Sequence, residues 1–217
     1  MGPREAGMND EPLRLGTRGS LLALAQAQTV AQTLRQGLER DVEVVPVKVS
    51  GDEGPAPSLG KDRFVAELEQ ALAAGRVDLA VHSLKDLPAD PAEGLCLAWV
   101  SPREDAREAW ICPAGTSPED MPAGARIGTG SLRRRALLNR LNHHWQVQPL
   151  AGNVDTRLRK LRDGQCDAIV LAAAGLSRLG RLGEATELFS LTMFPPAPTQ
   201  GFLGLEARRA DTLLLDL

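Results

Sequence analysis

Two rhythms of apolar and polar positions run through this chain. Leu-Arg-Leu-Gly-Thr-Arg, starting at Leu13, alternates as a half-buried strand does, and from Leu21 the apolar residues of LLALAQAQ recur at helical spacing. Arg126 to Arg140, RIGTGSLRRRALLNR, repeats that design: a short strand, a Gly-Thr turn, a serine and then a helix. Ser20 and Ser131 fall at the helix N-cap positions, where a hydroxyl oxygen satisfies an otherwise unpaired backbone N–H. A second pair of segments follows in the same order. FVAELEQALAAGRVDLAVHSLKDL and VDTRLRKLRDGQCDAIVLAAAGL each predict a helix, a glycine (Gly75 or Gly164), an aspartate (Asp78 or Asp167) and a strand. A repeat of this kind predicts an α/β protein of two similar domains with mixed β-sheets and a cleft between them.

Breaks in the pattern set the expected boundaries. Met1 to Pro12 is polar, without the apolar core of a signal peptide, and predicts a frayed leader (residues 1–12) on a cytoplasmic protein. Residues 102–105 form one crossing between the halves. Residues 196–201 form the other, beside Pro195, Pro196 and Pro198, which forbid a helix or a central strand. Residues 13–101 with 202–217 are then domain 1 and residues 106–195 domain 2. The tail GFLGLEARRADTLLLDL reads as an amphipathic helix returning to domain 1.

Composition changes this picture in three ways. With 43% hydrophobic and 24% charged residues the chain is globular, and no apolar run approaches the ~20 residues of a membrane span. The net charge is −3, yet Arg126 to Arg181 holds ten arginines and Lys160 against only Asp155, Asp163 and Asp167. One strongly cationic half in an acidic protein points to a small polyanion; with 3% aromatic residues, nucleic acid is disfavoured. Cys96, Cys112 and Cys166 match no zinc spacing and sit in strand-like runs, predicting buried structural thiols, and His143 and His144 have no partners at ligand spacing, so no metal is expected.

Candidate chemistry gathers where strands turn into helices. GTRGS brings Arg18 and GTGSLRR brings Arg133 and Arg134 to helix starts, where exposed N–H groups and the helix dipole favour an anion. An arginine there opposes the dipole unless a bound anion lies between, although a solvated basic helix face gives the same spacing. Gly152, Asn153 and Arg157 in AGNVDTRLRK, and Gly175 and Arg178 in AAAGLSRLG, extend the set. Guanidinium forks pair bidentately with carboxylates, so a polycarboxylate fits. Arg159 and Arg162 read as exposed decoration. In DLAVHSLKDLP, Ser83, Lys85 and Asp86 follow an apolar strand, making an acid/base candidate, with His82 read as a core histidine.

Taken together, LGTRGSLLALAQA, AVHSLKDLP, IGTGSLRR, GNVDTRL, DAIVLAAAGLSRLG and PTQGFLGLEAR resemble the successive signature blocks of the porphobilinogen deaminase family, in the family's order. The resemblance implies a bilobed fold like type II periplasmic binding proteins. It implies deamination of porphobilinogen and condensation of four pyrrole units to hydroxymethylbilane. It carries the catalytic aspartate onto Asp86 and the carboxylate-binding arginines onto Arg18, Arg133, Arg134, Arg157 and Arg178. Polar partners fall on Ser20, Gln26, Ser83, Lys85, Thr129, Ser131, Gly152, Asn153, Gln200 and Gly201, and Lys61 is kept from the family's glycine-rich loop, with its flanking glycines thinned. Ala151 stands where the family usually has arginine.

The family's dipyrromethane cofactor hangs by a thioether from a cysteine in a third domain. These 217 residues carry no counterpart of that loop, so no covalent attachment cysteine is expected here. The resemblance thus leaves two functions: a deaminase, with a separate chain as the partner supplying that domain, or a two-domain binding module holding a tetrapyrrole precursor or another anion without turnover. The small-molecule partner expected of the deaminase is a pyrrole substrate.

Overall fold

A computed structural model describes residues 11–38, 40–48 and 65–215. Lys61, its loop and most of the leader lie outside these residues. The elements run β1 (Leu13–Arg18), α1 (Leu21–Leu38), β2 (Val42–Val47), α2 (Ala66–Ala73), β3 (Leu79–Ser83), β4 (Leu95–Val100), β5 (Glu108–Ile111), β6 (Arg126–Gly128), α3 (Leu132–Leu141), β7 (Gln146–Gln148), α4 (Val154–Arg162), β8 (Ala168–Ala172), α5 (Ala173–Arg178), β9 (Glu187–Leu188), β10 (Leu203–Arg208) and α6 (Thr212–Leu215). They build two five-stranded mixed sheets, ordered β2-β1-β3-β10-β4 and β7-β6-β8-β5-β9.

The repeat seen in the sequence becomes a repeat of pairings. β1 runs parallel to β2 and β3, and β6 runs parallel to β7 and β8. At the start of each triplet an arginine and an aspartate clasp each other. Arg14 N and Nε donate to Asp78 Oδ2 at 2.9 and 3.0 Å and Arg14 Nη2 donates to Oδ1 at 2.7 Å. Arg126 and Asp167 make the same three bonds at 2.7, 3.3 and 2.7 Å. The glycine of the second Gly-Thr turn is dictated by crowding: a Cβ on Gly128 would lie 2.6 Å from Cys166 Sγ.

Each sheet is covered on both faces, as parallel strands require. Ala27, Val30, Ala31 and Leu34 of α1 pack on Leu13, Leu15, Leu79 and Leu205, while Leu68 and Leu72 of α2 cover the opposite face with Val77 and Leu95. The second sheet concentrates the scarce aromatics in one core, where Trp110 stacks on Trp145 at 5.5 Å and Phe189 on Phe194 at 4.6 Å.

The tail departs from expectation. Leu203–Arg208 is not helical: β10 inserts antiparallel between β3 and β4, and only Thr212–Leu215 forms a helix. Leu203, Leu205 and Ala207 reach the α1 face with a period of two. Among the cysteines, Cys112 and Cys166 are buried, but Cys96 is only half-buried, because β4 is an edge strand.

Candidate functional site

Ser20 and Ser131 start the two repeated helices as their sequence position predicts. Ser20 Oγ accepts from Ala23 N at 3.3 Å and Ser131 Oγ from Arg134 N at 3.4 Å. These helix starts open onto one cleft of about 340 Å³, walled by the C-terminal ends of β1, β3 and β8 and by the loops after β6 and β7. Arg18, Arg133, Arg134, Arg157 and Arg178 all line it, as do Gln26, Ser83, Lys85, Asp86, Gly152, Asn153, Gln200 and Gly201. Two of the sequence-derived residues do not join them. Lys61 lies outside the described residues, and Thr129 is buried behind the wall, where its Oγ1 accepts from Ser131 N at 3.2 Å.

Several of these residues hold one another. Gln26 and Ser83 are bonded through Gln26 Nε2 to Ser83 Oγ at 2.9 Å. Arg18 Nη2 donates to Asn153 Oδ1 at 3.3 Å from the opposite side of the cleft. Arg157 Nε donates to Gly152 O at 2.7 Å and Arg178 Nη2 to Gly201 O at 2.6 Å. At the rim Ala151 is exposed, and the nearby cation is Lys160, whose Nζ donates to the Ala151 carbonyl at 3.0 Å.

Glu108 is the group that the sequence reading missed. Its side chain is fully buried and ion-paired to both Arg133 and Arg134, the latter through Arg134 Nη2 to Glu108 Oε2 at 2.7 Å. Burial pushes the Glu108 carboxyl up, but Arg134 and Arg133 outweigh it and hold the group below the usual carboxylate range. Arg134 also donates to Val170 O at 3.0 Å, while its Nε is buried without a hydrogen-bond partner among the described residues. The available signal was an acid opening the apolar run Glu-Ala-Trp-Ile, where a charge needs a partner.

The cleft also alters its own cations. Lys85 is brought down to about 8, first by burial and then by the positive charge of Arg134, with Asp86 and Glu108 pulling the other way. Arg157 is lowered to about 10 by burial and by Arg134, and burial likewise lowers Arg178. Packing cationic groups in a partly dry cleft disfavours their charged forms, and a bound anion would relieve this. His82 is buried on β3 with its Nε2 2.9 Å from Glu206 Oε2, and it also reaches the cleft wall. The rings of His143 and His144 lie tilted against each other with centroids 3.9 Å apart, and no group of three or more His, Cys, Asp or Glu among the described residues converges on a metal position. None of the three cysteines lines the cleft.

Comparison with known proteins gives this geometry a context. A family model described as porphobilinogen deaminase, dipyrromethane cofactor binding domain, matches residues 13–216. The porphobilinogen deaminase of Sorangium cellulosum is 47% identical over 213 residues, covering 94% of this chain and 70% of the relative. That of Nocardia farcinica is 44% identical, covering 97% of this chain and 61% of the relative. This chain is therefore shorter than the curated relatives it matches. Among solved structures, the methionine-binding protein MetQ aligns with a TM-score of 0.59 at 12% identity over 96% of this chain and 88% of its own. The periplasmic VFT2 domain of Bordetella pertussis BvgS aligns with a TM-score of 0.56 at 17% identity over 94% and 83%. These two likenesses establish the bilobed fold of type II periplasmic binding proteins.

Proposed function

Since this chain belongs to the porphobilinogen deaminase family, whose members are transferases of tetrapyrrole biosynthesis, we propose that its cleft binds porphobilinogen and polypyrrole carboxylates, and that Asp86 and Lys85 serve deamination and condensation towards hydroxymethylbilane. The observation that carries this reading is the convergence of five arginines from both halves on a cleft whose wall also holds Lys85 and Asp86. Acetate and propionate arms offer several carboxylates per molecule, which suits guanidinium groups whose charge is held at a penalty until an anion arrives.

In the reaction the aminomethyl C–N bond of porphobilinogen breaks, and the electron pair leaves with the nitrogen as ammonia. The methylene left behind is a cation delocalised into its pyrrole. Asp86, an anion beside that centre, stabilises it electrostatically. Lys85 stands next to it with a proton affinity close to neutral pH, which suits a group that moves protons as nitrogen leaves and as the attacking pyrrole carbon loses its hydrogen.

A dipyrromethane, when bound, supplies the pyrrole terminus to which new units are joined. The buried, unpartnered Arg134 Nε and the surrounding arginines fit its carboxylates. The cysteines do not offer it a thioether, since Cys96, Cys112 and Cys166 all lie away from the cleft. Within the residues given, the arginines of the cleft would hold its carboxylates by reversible ion pairs. The test is intact mass on freshly purified protein, together with ammonia release from porphobilinogen. Ammonia release from protein of unmodified mass supports the proposal. A mass increase matching dipyrromethane on one of the three cysteines overturns reversible holding, and tight binding without ammonia release makes the protein a binding module.

A further inference from the structure

The two crossings between the halves meet at Gln200. Arg103 Nε, in the first crossing, donates to Gln200 O at 2.9 Å, and Glu104 N donates to Gly201 O at 3.2 Å. Gly201 allows this approach: its φ is +100°, and a Cβ there would lie 2.3 Å from Glu104 O. Gln200 is 1% exposed, and its side chain is used at both ends. Its Nε2 donates to Ala106 O at 2.8 Å and faces Arg107 O at 3.5 Å, and its Oε1 accepts from Lys85 Nζ at 3.1 Å.

We propose that Gln200 is a positioning residue for Lys85, tying its ammonium to both crossings so that where the lysine points follows how the two halves sit. The family resemblance implied a ligand-binding role for Gln200; its amide also makes bonds within the protein. A glutamine suits the position because it presents an acceptor to Lys85 and donors to the backbone carbonyls, whereas a carboxylate has no donor for Ala106 O. Among the described residues, the charges facing Lys85 include Asp86 in its own turn, Arg133 and Arg134 of α3, and Glu108 of β5, and Gln200 adds a neutral acceptor that favours the charged form. The functional consequence rests on Lys85 working in the cleft as proposed above; the test does not.

The lysine side chains are labelled with ¹³C and ¹⁵N and titrated by NMR in the wild-type chain, Gln200→Glu, Gln200→Met and Arg103→Ala, with Lys85→Met assigning the signal. Gln200→Glu is expected to raise the Lys85 titration by about one pH unit or more, as an opposite charge at contact does. Gln200→Met, close in volume and adding no buried charge, is expected to lower it, and it carries the test if the glutamate variant does not fold. Arg103→Ala loosens the crossing without touching Lys85 and is expected to shift the same signal. A Lys85 titration unmoved in both Gln200 variants, with weakened binding of a pyrrole dicarboxylate, would overturn the proposal and make Gln200 a ligand contact. An unmoved signal in Arg103→Ala would remove the crossings from it. Absence of ammonia release would sink the enzymatic reading and leave these titrations as they are.

Discussion

Arg18 and Asn153 bridge the cleft: the guanidinium at the end of β1 donates at 3.3 Å to the amide oxygen that precedes α4. A carboxylate would make a shorter, charge-assisted bond with the same arginine, so under the proposed function a ligand should displace the bridge. Arg18→Leu should weaken binding of a pyrrole dicarboxylate about ten- to a hundredfold, the range of a hydrogen bond to a charged group. Asn153→Ala should weaken it less than about tenfold. Titration calorimetry on the two variants decides, and the opposite ranking would assign Arg18 to the bridge more than to the ligand.

Asp86→Asn keeps the shape of the side chain and removes its charge. Ammonia release should fall about 100-fold or more while dicarboxylate binding is retained. Wild-type rates in the variant would take Asp86 out of the chemistry.

Lys85 gives the cleft a pH dependence. With its titration near 8, the cleft gains a positive charge as pH falls through that value. Affinity for a pyrrole dicarboxylate without the aminomethyl group should therefore drop from pH 7 to about pH 9, and the drop should be flat in Lys85→Met. An equal slope in both proteins would place the titrating group elsewhere.

Glu108 ties two arginines to the second sheet. Its folded-state proton affinity is depressed, so its contribution is fully present above the ordinary carboxylate range and is lost as pH falls through the lower folded value. Glu108→Gln should destabilise by about 3–5 kcal/mol at pH 7, because a buried Arg134 loses its counter-charge. The variant should also show a shallower loss of stability on acidification, read as the urea midpoint between pH 7 and 3. A midpoint close to wild type at pH 7 would mean that the arginines find other partners.

What the sequence disclosed and what it hid have physical causes. The repeated strand, Gly-Thr turn and serine cap are local devices, and the structure uses Ser20 and Ser131 where their spacing put them. Most arginines were legible because a cation at a helix start is out of place unless something anionic faces it. Glu108 was not, since its meaning depends on residues 25 and 26 positions away. The β10 strand was hidden by Glu206, a buried carboxylate facing His82 that reads as one polar position on an amphipathic helix, and by the leucines of α6 continuing a helical spacing. The bonds of Gln200 to Lys85 and to the Ala106 carbonyl were hidden too, because its partners lie 115 and 94 positions away.

The place of β10 also sets an order of events during synthesis. It is hydrogen-bonded to β3 on one side and β4 on the other, yet it leaves the ribosome after every strand of the second sheet. At ~5–20 residues per second, β4 waits on the order of 5–20 s for β10, its one strand neighbour among the described residues. Meanwhile the second sheet has all its described strands, β5 to β9, in hand, so the half made later is expected to complete its sheet first. Over that interval the Leu-Cys-Leu-Ala-Trp-Val strand, with no charge or proline to guard it, is exposed to wrong pairing.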